Sequence, residues 1–166
     1  MPTLPTIVIA CAAITTALIT GLFYAYSCSV NPGLNRLSDL EYVTAMQSIN
    51  RAIQNPLFFI SFLGTPILLP VSTWLNYNQP VSARFWLLLL ATILYLIGVL
   101  GVTALGNIPL NEALNSFSIQ TASAEEIAVQ RVRFETPWNT WHTIRTLASF
   151  VALVLVVIAC LSSNTK

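Results

Sequence analysis

The chain has 166 residues, of which 55% are hydrophobic and 8% are charged, and its formal net charge is +1. Soluble globular domains carry about a quarter charged residues, so this composition excludes an ordinary soluble domain and predicts an integral membrane protein. The near-neutral charge also argues against a nucleic-acid partner, because no basic patch is long enough to neutralise several phosphates.

Four long uncharged runs predict four membrane-spanning helices. About 20 helical residues cross the hydrocarbon core, whereas a β-barrel would need many alternating segments of about ten residues. The first run is longer than the apolar part of a typical signal peptide and no basic residue precedes it, so we predict a retained span. The predicted fold is all-α, an integral membrane four-helix bundle in a single domain (1–166), with spans at about 6–29, 57–75, 85–106 and 137–161.

Two long connections, at about 37–55 and 107–135, open on the same side and predict short helices that cap one end of the bundle. Ser38 and Glu41 have the spacing of a capping box, as do Ser123 and Glu126. In the second span, Asn55 is predicted as N-cap with Pro56 at the first helical position. The second cap is predicted to end near Phe134, and a fresh helix to start at Pro137.

Span two contains Gly64, Pro66 and Pro70, which predicts a kink that opens space beside the helix. The alternative is that proline and glycine are simply more frequent in membrane helices. Orientation follows from charge, because five arginines lie at the capped end and only Arg84 and Lys166 lie at the other. The positive-inside rule therefore predicts that the capped end is cytoplasmic.

The fourth span opens on a polar face. Trp138, Trp141, His142, Arg145 and Ser149 recur at i, i+3, i+4, i+7 and i+11, which is one side of a helix. A charged side chain that faces hydrocarbon costs several kcal/mol, so we expect this face to turn toward the bundle interior at the capped mouth. The alternative is that the tryptophans anchor the span at the membrane interface and the arginine extends to lipid phosphate.

Two other segments bring amides to the same end of the bundle. Asn107 and Asn111 follow span three, and Gln47 and Asn50 lie on a helical stripe of the first cap. Each could also be a turn residue or part of a solvated face. The convergence of amide, imidazole and guanidinium groups at one mouth of an apolar bundle favours a binding site.

Four sequence blocks resemble the anthrone-oxygenase-like family of small four-helix membrane proteins. They are "GLFYAYSCSVNPGLNRL", "AMQSINRAIQNPLF", "VTALGNIPLNEAL" and "WNTWHTIRTLAS", in this order. Fungal members are implicated in oxidising anthrones to anthraquinones, whereas most bacterial members have no established activity. In bacterial members the position after tryptophan is often asparagine and the next histidine, whereas here they are His142 and Thr143. The family pattern falls on Gln47, Asn50, Asn55, Asn107, Pro109, Asn111, Trp141 and Arg145.

The resemblance implies a membrane-embedded oxygenase-like protein that acts on a hydrophobic anthrone- or quinone-like aromatic. An anthrone has an acidic methylene, and its anion can react with dioxygen directly, so the chemistry needs a base and stabilisation of an oxyanion. We expect His142 to be the base and Arg145 to stabilise the oxyanion. The predicted substrate-binding residues are Gln47, Asn50, Asn107, Asn111, Trp138 and Trp141, with the indoles stacking on the fused rings.

The sequence is also compatible with two other functions. One is a non-catalytic membrane protein that binds a lipid, a quinone or a partner protein at the capped mouth. The other is a metal- or haem-dependent oxidase, with His142 as axial haem ligand or as a metal ligand beside Glu41, Glu112 or Glu135. The expected partners are a hydrophobic small molecule and membrane lipid; a homo-oligomer is compatible with the sequence, and the residues specify no cofactor.

Overall fold

A computed structural model describes residues 3–78 and 80–162. Lys166, which entered the orientation prediction, lies outside the described residues. Seven α-helices run along the described chain: α1 Leu4–Ala25, α2 Asn31–Leu34, α3 Asp39–Ala52, α4 Pro56–Leu75, α5 Ala83–Tyr95, α6 Ile108–Ser116 and α7 Ala124–Leu161. Three π-helical segments extend them, at Tyr26–Val30, Leu96–Gly101 and Thr103–Asn107.

Four helical stretches are long and apolar enough to cross a membrane: Leu4–Leu34, Pro56–Leu75, Ala83–Ser116 and Ala124–Leu161. The first and third are longer than predicted, because the helix continues through π-helical turns into α2 and α6. No strand occurs among the described residues. These features confirm the predicted all-α membrane fold.

The four spans form a ring in which each contacts two neighbours. Helix α1 contacts α4 and α7, and α5 contacts the same two helices from the other side. The centre of the ring is closed by buried side chains such as Leu69, Tyr95 and Val156. Thr73 and Thr92 share a 3.0 Å hydrogen bond that links spans two and three. Such hydrogen bonds and close packing hold helices together in lipid, where burial of apolar surface cannot.

The last span differs from the prediction at Pro137. A proline removes one helical hydrogen bond and crowds the preceding turn, which is why a helix boundary was expected there. The structure instead has one continuous helix of 38 residues. One i,i+4 contact spans the proline: Phe134 stacks on Trp138 with ring centroids 6.0 Å apart. The ion pair of Arg131 with Glu135, at 2.8 Å, lies in the turn before it. We attribute the continuity of the helix to the stack across the proline.

The helix starts agree with the capping signals. Both capping boxes form, at Ser38 with Glu41 and at Ser123 with Glu126. The hydrogen bonds from Ser38 lower the pKa of the Glu41 carboxyl. Asn55 accepts a 3.1 Å hydrogen bond from the Phe58 backbone, as expected of an N-cap. Local side-chain chemistry therefore fixes where α3, α4 and α7 begin.

The first cap is attached to span four by Arg131. Its guanidinium donates hydrogen bonds of 2.8 Å to the Leu37 carbonyl and 3.0 Å to the Asp39 carboxylate. It also lies 4.4 Å from the centroid of the Tyr42 ring, in a cation–π contact. These contacts hold α3 across the end of the bundle.

Candidate active site

A cavity of about 290 Å³ lies beneath the two caps. This volume is near the lower end of ligand cavities, which run from about 300 to 1,000 Å³. Spans one, two and four contribute aromatic walls, and helices α3 and α6 contribute amide side chains. The aromatic side chains that line it are Phe23, Tyr26, Phe58, Phe59, Phe62 and Trp138.

Span two borders the cavity near its start, at Phe58, Phe59 and Phe62, whereas Pro66 and Pro70 lie further along α4. The cavity is therefore not beside Pro66 and Pro70, where the predicted kink in span two would have created space. At the level of Phe62, the Tyr95 hydroxyl donates a 3.5 Å hydrogen bond to the backbone carbonyl of span two.

Arg145 is the cationic side chain of this cavity. Its guanidinium carbon lies 4.4 Å from the centroid of the Phe23 ring and 5.2 Å from that of Trp138. One N–H donates to the Thr103 hydroxyl at 3.5 Å. Among the described residues, no carboxylate forms an ion pair with it. Buried charges are normally paired, so an unpaired guanidinium on an apolar wall suits a negatively charged or strongly polarised ligand oxygen.

His142 lies behind Arg145 and is only 2% exposed. Its Nδ1 accepts hydrogen bonds from the guanidinium of Arg145 at 3.4 and 3.2 Å. A guanidinium can only donate, so Nδ1 carries the lone pair and Nε2 carries the proton. Nε2 lies 3.0 Å from the Ser27 hydroxyl, which itself donates to the Phe23 carbonyl and therefore accepts from the imidazole.

This arrangement differs from the expectation that His142 faces the cavity. The imidazole is not part of the cavity wall, and it stacks on Trp138 at 5.0 Å with planes 10° apart. His142 and Arg145 are separated by about 60° around the helix. The long arginine side chain reaches the cavity, whereas the shorter imidazole stays between helices.

The two tryptophans have different surroundings. Trp138 is 3% exposed, lines the cavity, and donates from Nε1 to the Asn111 side-chain oxygen at 2.8 Å. Trp141 is 38% exposed and does not line the cavity. Its indole packs over Gly106, where a Cβ would lie only 2.6 Å from the ring. Trp141 sits about 60° from Trp138 around the helix, so it points to the edge of span three rather than into the cavity as predicted.

Two of the four predicted amides line the cavity, namely Asn50 and Asn111. Asn50 is 4% exposed, and its Nδ2 has no hydrogen-bond partner among the described residues. Gln47 instead donates to the carbonyls of Leu114 and Phe117 at 2.8 and 2.9 Å, and so joins the first cap to the second.

Asn107 is fully buried, and it also lies outside the cavity wall. Its Nδ2 donates to the Trp138 carbonyl at 3.3 Å, while its Oδ1 has no partner among the described residues. Asn107 therefore contributes to the site indirectly, by supporting the backbone of span four.

A comparison with protein families matches the anthrone oxygenase model to residues 50–155. This segment is more than half of the chain and includes Asn50, Asn111, Trp138 and Arg145. The chain belongs to the anthrone oxygenase family. No curated protein and no solved structure matches it. The family match confirms the resemblance drawn from the four sequence blocks.

Several cavity residues of this anthrone oxygenase family member were not predicted as substrate contacts, among them Asn115, Glu112 and Tyr26. Asn115 follows Asn111 by one turn of α6, so helical spacing could have indicated it, and its Oδ1 has no partner within the described chain. Glu112, between them, lines the same cavity. Tyr26 lies in the π-helical segment Tyr26–Val30, which no sequence pattern signalled. Such turns often occur at functional sites.

The residues offered for metal binding lie apart. Glu41 accepts hydrogen bonds from Ser38, and Glu135 pairs with Arg131. Of the three glutamates proposed beside His142, only Glu112 faces the cavity. Across residues 3–78 and 80–162, no three histidine, cysteine, aspartate or glutamate side chains come together in a metal-binding group.

Proposed function

We propose that this protein is a membrane-embedded oxygenase that oxidises an anthrone-like fused-ring aromatic in the cavity beneath the caps. The observation that carries the proposal is Arg145. It is a guanidinium without an ion-pair partner among the described residues, on the wall of an aromatic cavity. The match to the anthrone oxygenase family supports the class of reaction.

The aromatic walls suit a flat, fused-ring ligand. Trp138 and the phenylalanines of span two offer ring faces and edges, and aromatic pairs prefer offset or edge-to-face contact. We place the ligand carbonyl toward Arg145. In an enclosed apolar site, a fixed cation stabilises a developing oxyanion far more than it would in water. Asn50 supplies a free amide donor for a second ligand oxygen.

The reaction begins when a base removes a proton from the methylene. The electron pair of the broken C–H bond delocalises to the carbonyl oxygen, which Arg145 stabilises. The anion gives one electron to dioxygen, and the resulting radical and superoxide combine to form a peroxide anion at the former methylene carbon. This anion takes up one proton, equal in number to the one removed by the base, and becomes a hydroperoxide. Loss of the remaining hydrogen with cleavage of the O–O bond releases water and leaves the second carbonyl. One anthrone and one dioxygen thus give one anthraquinone and one water.

We assign Arg145 as the catalytic residue for oxyanion stabilisation and His142 as the residue that positions it. The imidazole lone pair holds the guanidinium through two hydrogen bonds, and Ser27 holds the imidazole. Trp138 fixes the side chain of Asn111. Trp141 lies at the edge of the bundle and is assigned to the membrane interface.

Arg145→Met tests the proposal, with Arg133→Met as the control because Arg133 is exposed and outside the cavity. Purified protein in lipid nanodiscs is supplied with anthrone, and oxygen uptake and quinone absorbance are recorded against empty nanodiscs. The proposal predicts one oxygen per quinone and a loss of about 100- to 1,000-fold in kcat for Arg145→Met alone. Wild-type protein that binds anthrone but does not accelerate its oxidation would support the non-catalytic alternative.

We also propose that the capped end faces the cytoplasm, since Arg36, Arg51, Arg131, Arg133 and Arg145 all belong to it. The chain offers a direct test through Arg36→Cys in a background without the three native cysteines. Protection of this thiol from an impermeant reagent in intact cells is expected. Labelling of this thiol from outside the cell would show that the capped end faces away from the cytoplasm.

A further inference from the structure

We infer that Glu112 is the base that removes the methylene proton, an inference that rests on the proposed function. Two side chains of the cavity wall carry a full charge, Arg145 and Glu112. They are of opposite sign, yet they form no ion pair with each other. The two charged side chains are therefore not paired with each other, and both residues border the space that a neutral ligand would occupy.

Proton transfer to Glu112 keeps the charge of this cavity constant. Before reaction the wall carries one carboxylate and one guanidinium, and the ligand is neutral. After transfer the carboxyl is neutral, and the negative charge lies on the ligand oxygen beside Arg145. The C–H bond breaks, an O–H bond forms on Glu112, and the electron pair remains on the ligand for reaction with dioxygen. The negative charge thus moves to a position next to the cation, which favours the anion.

Helix α6 gives Glu112 a fixed place. Leu114, on the same helix, is fully buried, and its carbonyl accepts a hydrogen bond from Gln47. Asn111, the preceding residue, is held by the indole of Trp138 at 2.8 Å. The cavity side of α6 is therefore tied to both α3 and α7, and sites on tied helices hold their groups more accurately than sites on loops.

The exposure of Glu112 suits a base that must work repeatedly. The residue is exposed although it lines the cavity, so water reaches it beside the space for the ligand. A proton taken from the ligand can pass to water there, which restores the carboxylate. His142 is not suited to this role, because it is only 2% exposed and its lone pair accepts a hydrogen bond from Arg145.

Glu112→Gln tests the inference, because it keeps the size of the side chain but removes the basic oxygen. Glu125→Gln is the matched control, since Glu125 is exposed at the start of α7 and lies outside the cavity. We expect Glu112→Gln to lose about 100- to 10,000-fold in kcat. We also expect it to bind anthraquinone as wild type does. Glu125→Gln should behave as wild type.

A second variant separates basicity from packing. Glu112→Ala should regain turnover when formate is added, whereas Arg145→Met should not. If the wild type is active and Glu112→Gln keeps full activity, the assignment of the base is overturned and the proposed function stands. The same conclusion follows if weakened anthraquinone binding is the only defect of Glu112→Gln. Wild type that does not oxidise anthrone would overturn both.

Discussion

Replacing His142 distinguishes a residue that positions Arg145 from one that takes the proton. His142→Gln keeps an oxygen that can accept from Arg145 and an N–H that can donate to Ser27, but it has no basicity. His142→Phe keeps a ring against Trp138 and removes both hydrogen bonds. A positioning role therefore predicts that the glutamine variant stays within about tenfold of wild type and the phenylalanine variant does not.

The expected loss follows from the contacts. Arg145 donates two hydrogen bonds to the imidazole, at 3.4 and 3.2 Å. Hydrogen bonds that involve a charged group contribute about 1.5–3 kcal/mol, and these two share a single lone pair. If the same amount is lost from the transition state, kcat falls by about 10- to 150-fold in His142→Phe.

Anthrone turnover in nanodiscs gives the rates, and thermal unfolding shows whether each variant is folded. If both variants lose more than about 1,000-fold in kcat while remaining folded, His142 is the base and the positioning role is refuted.

Two stability predictions follow from packing. Gly98→Ala should destabilise the fold by about 1–3 kcal/mol, because the new Cβ would lie 2.6 Å from the Cβ of Ala148 on the neighbouring span. Gly21→Ala is the control, because its new Cβ would meet nothing within 4 Å and should not destabilise the fold. Unfolding in a detergent titration measures the difference, and equal midpoints would contradict it. Arg131→Met should raise hydrogen exchange in the first half of α3 without altering exchange in α5, because its contacts outside α7 are made at the start of the first cap. Unchanged exchange in α3 would show that these contacts do not hold the cap.

Much of the fold follows from local sequence signals. Hydropathy and length predict the four spans, and the Ser38 and Ser123 capping boxes predict where α3 and α7 begin. The π-helical turns and the continuous helix through Pro137 were not predictable in this way. The stack of Phe134 on Trp138 exists only when the helix runs through Pro137, so the boundary signal of the proline does not reveal it.

The sequence predicts which face of α7 borders the cavity, but not which side chains of that face reach it. The spacing of Trp138 and Arg145 correctly places both on the side that meets the cavity. Spacing alone could not show that Trp141 lies at the margin of that face, or that the imidazole of His142 stops short of the cavity. The sequence suggested Glu112 only as a metal ligand beside His142, because its place on the cavity wall depends on where α6 packs, and Gln47 and Trp138 from other helices hold α6 there.

The most direct test of the account is a crystal structure of the protein with anthraquinone, the product of the proposed reaction. The account predicts the fused rings against Trp138, with one carbonyl oxygen about 2.7–3.1 Å from a guanidinium nitrogen of Arg145. Anthraquinone bound elsewhere, or an acyl chain filling the cavity in its place, would contradict it.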